Sequence, residues 1–263
     1  LPLRNKRPGQ YTTIPGSLPW EELSVRPVLT NCHSYLMYYM TGFIMIPVFL
    51  FALACQFRVK SNFNKYSKIA NSRGMTGADA AFRLLQLNGI TDVRIKVIPG
   101  TLTDYYDPKN KEICLSQDVF SSRSIAAIGV ACHEAGHACQ HAQGYAPLKI
   151  RNAVIPATRI GTLLGVPLCL IGVAINSEAM AYIGLAFYGF VALFQLITLP
   201  VEFDASKRAL ATIQNNFYFT EDEYSGAKKV LTAAALTYVA ALASAIATIF
   251  RLLLIIAGGN RRR

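Results

Sequence analysis

Charge is scarce in this sequence, and negative charge is scarcest. Only 16% of the 263 residues are Asp, Glu, Lys or Arg, while 52% are hydrophobic and the mean hydropathy is +0.32. That balance is high for a soluble domain and points to membrane-spanning segments. Acidic residues number 15 against 26 basic ones, a formal charge of +11. Nucleic acid would be one partner for such an excess. Yet there is no platform of aromatic and basic residues, and the basic residues flank apolar runs instead. The pattern fits the positive-inside rule, and no nucleic-acid partner is expected. No C-x-x-C pair occurs among Cys32, Cys55, Cys114, Cys132, Cys139 and Cys169. A disulfide framework is therefore not expected, and a reducing compartment is.

Histidine is equally sparse. Three of the four histidines fall within Val130 to His141, which contains His133-Glu134-Ala135-Gly136-His137, an H-E-x-x-H motif. Residues four apart share a helix face, so His133 and His137 can point at one position in space. Two imidazoles so placed make half of a tetrahedral Zn2+ site. Glu134 lies beside them, where a carboxylate can take a proton from a zinc-activated water. On a helix Cys132 and Cys139 are turned away from that face.

The remaining chain reads as alternating apolar and polar segments. Residues 1–35 form an irregular arm, with five of the twelve prolines. Leu36 to Phe57 is uncharged and 22 residues long, enough to span ~30 Å of hydrocarbon. No small-residue cleavage site follows it, so a signal-anchor helix is expected. Arg58, Lys60, Lys65, Lys68 and Arg73 then favour the cytoplasmic side. Residues 58–151 form the expected metallopeptidase domain. Within it, Thr76-Gly77-Ala78-Asp79 reads as a capping box opening a helix to about Leu87. Val93 to Ile98 and Glu112 to Leu115 read as strands of a hairpin, with a turn at Tyr105 to Asn110. Ser121 or Ser122 would cap the helix carrying the metal motif, and Gly144 would end it.

Residues 152–199 read as a transmembrane hairpin around Asn176-Ser177-Glu178. That loop carries no basic residue and so belongs opposite the basic domain. Residues 200–230 return to the domain's side. Residues 231–257 read as an apolar helix, membrane-spanning or interfacial, interrupted by Arg251. Residues 258–263 are a basic tail. The expected fold is thus a mainly α integral membrane protein, with a zincin-like H-E-x-x-H helix, a small β-hairpin or sheet and about four apolar helices.

A catalytic zinc takes three protein ligands plus water. His141 lies two turns beyond His133, about 12 Å along the axis at ~1.5 Å per residue, too far for one ion while the helix continues. Glu202 is the better third ligand. It follows a span that returns to the domain's side, in an otherwise apolar helical turn, and would complete a His-His-Glu set.

These residues also carry a family resemblance. An N-terminal span precedes Asn71-Ser72-Arg73-Gly74, Thr76-Gly77 and Tyr106-Asp107-Pro108. His-Glu-Ala-Gly-His, Gly144-Tyr145-Ala146-Pro147-Leu148, an apolar hairpin and Leu199-Pro200-Val201-Glu202-Phe203 follow. Over about residues 40–260 this order resembles the bacterial membrane neutral zinc metallopeptidases of the YugP type. More distantly it is similar to the HtpX and CAAX prenyl proteases. In those families a glutamate on a later helix completes the zinc site, which implies Glu202. They commonly carry an acid four residues further on. Here that position is Ser206, with Asp204 two residues past Glu202.

The reading is a multi-pass enzyme of the plasma membrane with its site at the cytoplasmic face. It would cleave membrane or membrane-proximal proteins and contact the lipid bilayer. His133, His137 and Glu202 are the expected zinc ligands and Glu134 the general base. His141, Asp204 and Ser206 are expected around them. Arg208, Tyr105, Tyr106 and Tyr238 are candidates to stabilise the oxyanion. The alternative is a non-catalytic, zinc-stabilised membrane scaffold, which would have no use for Glu134 as a base. A transporter is disfavoured because no ionisable pair lies mid-span.

Overall fold

The computed structural model of the protein describes residues 41–217 and 219–260. The arm 1–35, the start of the first apolar run, Cys32 and the tail residues 261–263 lie outside the described residues.

Helix α1, Met45–Tyr66, exposes Phe49, Leu50, Leu53 and Phe57 while burying Cys55 and Phe63. It runs past Phe57 because no glycine or proline interrupts Arg58 to Tyr66. A loop held by Asn71 follows. The Asn71 side chain donates to the Met75 and Arg123 carbonyls and accepts from the backbone N–H of Arg73 and Met75. Helix α2, Gly77–Leu87, opens on the expected capping box. The Asp79 backbone N–H donates to the Thr76 hydroxyl at 3.1 Å, and the Thr76 N–H to the Asp79 carboxylate at 3.0 Å.

Three strands follow: β1, Arg94–Ile98; β2, Tyr105–Asp107; and β3, Glu112–Ser116. Their order is β1-β3-β2, with β1 parallel and β2 antiparallel to β3. The expected hairpin between β1 and β3 is therefore corrected. Tyr105 and Tyr106 are strand rather than turn. The turn begins at Asp107, whose carboxylate accepts from the N–H of Lys109 and Asn110 and closes β2 onto β3. That leaves residues 99–104 to cross over, and β1 takes the other edge of β3.

After the short α3, Gln117–Phe120, comes α4, Ile125–Ala142, with the metal motif. Its cap is Ser124, not Ser121 or Ser122: the Ser124 hydroxyl accepts from the Ala127 N–H at 3.2 Å. Asn71 and the Ala70–Ser124 bridge hold Arg123 and Ser124 extended, so the helix starts later than the first serines. Gly144 follows the helix with φ +65°, as expected of a terminating glycine.

Helices α5, Ala146–Ala174, and α6, Glu178–Asn216, form the expected hairpin. They pack with backbones nearly touching, since a Cβ on Gly184 would lie 2.3 Å from the Cys169 nitrogen. The segment after Leu199 follows the span without a break. Helix α6 continues through Pro200, so Glu202 stands on the same helix as the span. Helix α7, Glu221–Asn260, likewise runs unbroken past Arg251.

Among the described residues, four helices are long and apolar enough to cross a membrane: Thr41–Tyr66, Ala146–Ala174, Glu178–Asn216 and Glu221–Gly258. The chain is a mainly helical membrane protein. Its polar part has its own core, in which Leu84, Leu85, Ile113, Leu115, Ile128 and Phe217 are buried.

From Glu178 to Glu202, α6 rises about 36 Å at ~1.5 Å per residue. That exceeds a hydrocarbon core of ~30 Å. Helix α6 is thus long enough to cross a bilayer between the 175–177 loop and Glu202. Single cysteines at the exposed positions Lys65 and Lys207 should react with an impermeant thiol reagent from one side of the membrane, and one at Asn176 from the other. Labelling of Lys65→Cys and Lys207→Cys from opposite sides would contradict this topology.

Candidate metal centre

Helix α4 is built from small residues where it meets α6. Ala131, Ala135 and Ala138 are buried, and a Cβ on Gly136 would sit 2.7 Å from the Ala205 carbonyl oxygen. Only glycine inside the motif lets α6 lie so close. One turn away the contact brings Glu202 to the imidazoles. Glu202 Oε2 is 3.2 Å from His133 Nε2 and 3.5 Å from His137 Nε2. The rings stand nearly perpendicular, at 80° with centroids 4.7 Å apart.

The donor atoms of His133, His137 and Glu202 all lie within 4.8 Å of one another, and these residues can hold a metal ion. Ligands ~2.0–2.1 Å from a tetrahedral zinc are about 3.3–3.4 Å apart. The observed separations fit that ion, as does a set of two imidazoles and a carboxylate.

Each donor is held from behind. His137 Nδ1 is 3.0 Å from Gln140 Oε1. The Gln140 amide cannot be reversed, because its nitrogen donates to both the Val201 carbonyl and Asp204 Oδ2 at 2.8 Å. Its oxygen therefore accepts, His137 carries its proton on Nδ1, and the Nε2 lone pair faces the centre. The Ser206 hydroxyl lies 3.1 Å from His133 Nδ1 and orients that ring. Glu202 Oε1, the oxygen turned from the imidazoles, faces Arg151 Nη1 at 3.4 Å, and the Tyr238 hydroxyl rests against the same carboxylate.

Glu134 is buried beside the donors without joining them. Burial holds its carboxyl above the ordinary range, with the two imidazoles acting against that shift. Tyr238 borders this space, and Tyr105 and Tyr106 line its polar side. The Tyr106 hydroxyl meets His141 Nδ1 at 2.7 Å. Burial pushes the Tyr106 phenol up to about 12, so it keeps its proton. His141 thus stands at the rim, apart from the donor group.

Arg208 is not brought to the site. Its Nε donates to Asp204 at 2.6 Å and its Nη1 to Gln143 Oε1 at 2.6 Å, so it braces the Gln140–Asp204 pair. Cys132 and Cys139 are buried in the core, where burial raises both thiols, Cys139 to about 11. The described cysteines are all free.

Three residues at the site were missed from sequence. Gln140 had a signal, being three residues from His137 on the same helix face. Arg151 passed for a residue flanking a span. Asp104 gave no signal. It borders the site from the crossover loop, tied down by the N–H and hydroxyl of Ser116.

Residues 41–257 match a family model described as "Putative neutral zinc metallopeptidase". The chain belongs to this family. It is also 42% identical, over 83% of its own length and 97% of the relative's, to the protein described as "Putative membrane protease YugP" from Bacillus subtilis (strain 168). No solved structure matches the chain. Membership in a zinc metallopeptidase family agrees with the donor set, and zinc is the metal that His133, His137 and Glu202 fit.

Glu202→Ala should leave two imidazoles and lower the zinc content of the purified protein severely. His141→Ala should leave zinc near one per chain. Metal quantification on both variants decides the matter, and normal zinc in Glu202→Ala with loss in His141→Ala would overturn the assignment.

Proposed function

We propose that the chain is a membrane-bound, zinc-dependent endopeptidase acting on membrane or membrane-proximal proteins. The observation that carries this reading is the placement of Glu134, which is buried next to the three donors but is not one of them. A zinc ion held by His133, His137 and Glu202 would supply Lewis acidity and lower the pKa of a bound water toward ~7.

The chain's own groups do the rest. Glu134 takes the proton of the attacking water and returns it to the leaving amine. Its raised proton affinity suits both halves of that task. His137, fixed by Gln140, and His133, fixed by Ser206, would present their Nε2 atoms to the metal. Tyr238 lies on the wall of the reaction space, against Glu202. Its hydroxyl is the donor we assign to the developing oxyanion. Strand β2 pairs with β3 on one side only, and Tyr105 and Tyr106 line the polar side of the site. An extended substrate segment can add to that edge through its backbone.

In this reading residues 58–151 supply the catalytic domain, 152–199 the membrane hairpin and 200–230 the third ligand. The site faces the cytoplasm, on the strength of the basic cluster from Arg58 to Arg73 and the uncharged turn at 175–177. A zinc-stabilised scaffold is the weaker reading, because such a site is normally closed by a fourth protein ligand. Here a base stands where that ligand would be.

Glu134→Gln should keep zinc near one per chain and lose hydrolysis on the order of 10²–10⁴-fold, the usual worth of a general base. Zinc analysis beside a peptide-cleavage assay checks both halves. Activity close to that of the unaltered protein would remove Glu134 from the mechanism.

A further inference from the structure

Two cavities meet at the metal centre, and their chemistry differs. One, of about 180 Å³, is lined by Tyr105, Tyr106, Pro108, Arg151 and Asn152. The other, of about 220 Å³, is walled by Val59 and Phe63 of α1, Val130 of α4, and Leu231, Ala234 and Ala235 of α7. Asp104, His133, Glu134, Glu202 and Tyr238 border both. Away from that shared border, the sole polar residue lining the larger chamber among the described residues is Ser206, whose hydroxyl is engaged by His133.

We propose that the apolar chamber receives the side chain of the substrate residue adjoining the scissile bond, so that the chain cleaves beside a large apolar residue such as Leu or Phe. This rests on the endopeptidase reading and goes on to name the substrate class. A bond hydrolysed with Glu134 as base must lie against the shared border. The residues on its two sides then extend into the two chambers. An apolar cavity of ~150 Å³ takes up benzene, so a chamber of about 220 Å³ holds a Leu or Phe side chain. A charged side chain would be desolvated there with no partner of its own beyond the shared border. The room exists because α7 presents alanines at positions 234 and 235. Their size sets the size of the residue accepted.

The test uses the full chain, zinc-loaded in detergent micelles, with a proteome-derived peptide library and mass-spectrometric reading of the new termini. Large apolar residues should be enriched about tenfold over Ala or Gly at one position flanking the cleaved bond. Ala234→Phe should shift that position toward Ala and Gly, leaving the other flanking position unchanged. A variant that merely folds poorly lowers all cleavage together without a shift. Should Ala234→Phe be inactive, Ala234→Val should still shift the preference toward smaller residues. Cleavage with no apolar preference, or a preference that neither variant moves, overturns the inference and leaves the endopeptidase reading standing. Zinc-loaded protein that cleaves no peptide overturns that reading, and the inference with it.

Discussion

Everything at the metal centre depends on how closely α6 can approach α4. The two helices touch at Gly136, where the Ala205 carbonyl occupies the space a Cβ would need. A methyl group there would force the helices apart. Because a carboxylate has a short reach, a shift of an ångström would take Glu202 Oε2 out of range of a metal held by the imidazoles. The alanines flanking the motif serve the same end. They let α4 run through the middle of the molecule, between the sheet and α2 on one side and α6 on the other. Within the motif, glycine is thus a packing requirement, while histidine and glutamate carry the chemistry.

The second constraint is orientation. Two imidazoles and a carboxylate at the right distance still fail if a lone pair points elsewhere. Gln140 and Ser206 settle this for the two rings, and Arg151 for Glu202. Gln140 lies on α4 with the histidines, Ser206 and Asp204 lie on α6 with Glu202, and Arg151 comes from α5. The contact of α4 with α6 therefore assembles the three donors and the supports of both rings. Ser206, four residues beyond Glu202, bonds an imidazole directly, and Asp204, two residues beyond it, acts through Gln140.

Much of this was legible in the sequence, for identifiable reasons. The H-E-x-x-H spacing is a statement about one helix face, and the long uncharged runs are a statement about a bilayer. Neither needs tertiary information. Glu202 was legible because hairpin topology returns it to the correct side. Pairing within the sheet was not legible. Strands β1 and β3 are fifteen or so residues apart, and nothing local distinguishes a hairpin from a crossover with β2 inserted at the far edge. The Ser124 cap was missed because Asn71, about fifty residues earlier in the chain, holds the preceding residues extended. Asp104 and Arg151 were missed for the same reason. Each is placed by a long-range contact, and its own neighbours in sequence say nothing of a site.

The continuity of α6 ties the chemistry to the membrane. An unbroken helix connects the tight turn at 175–177 to Glu202 and on to Asn216. Pro200 removes one backbone hydrogen bond, but the helix persists through it. Its partner α5 brings Arg151 to the same level, about 35 Å from Ala174 at ~1.5 Å per residue. The third donor and the residue that orients it are thus both set at a fixed height by the span itself. A centre on a mobile polar domain could reach substrates at many distances from the bilayer. Here Glu202 cannot move along the helix axis without moving the hairpin. Helices α1 and α7, which wall the apolar chamber, are themselves long and apolar enough to cross a membrane. Under the proposed endopeptidase reading, a peptide would present its bond at the membrane edge, which would favour chains already attached there over freely diffusing ones.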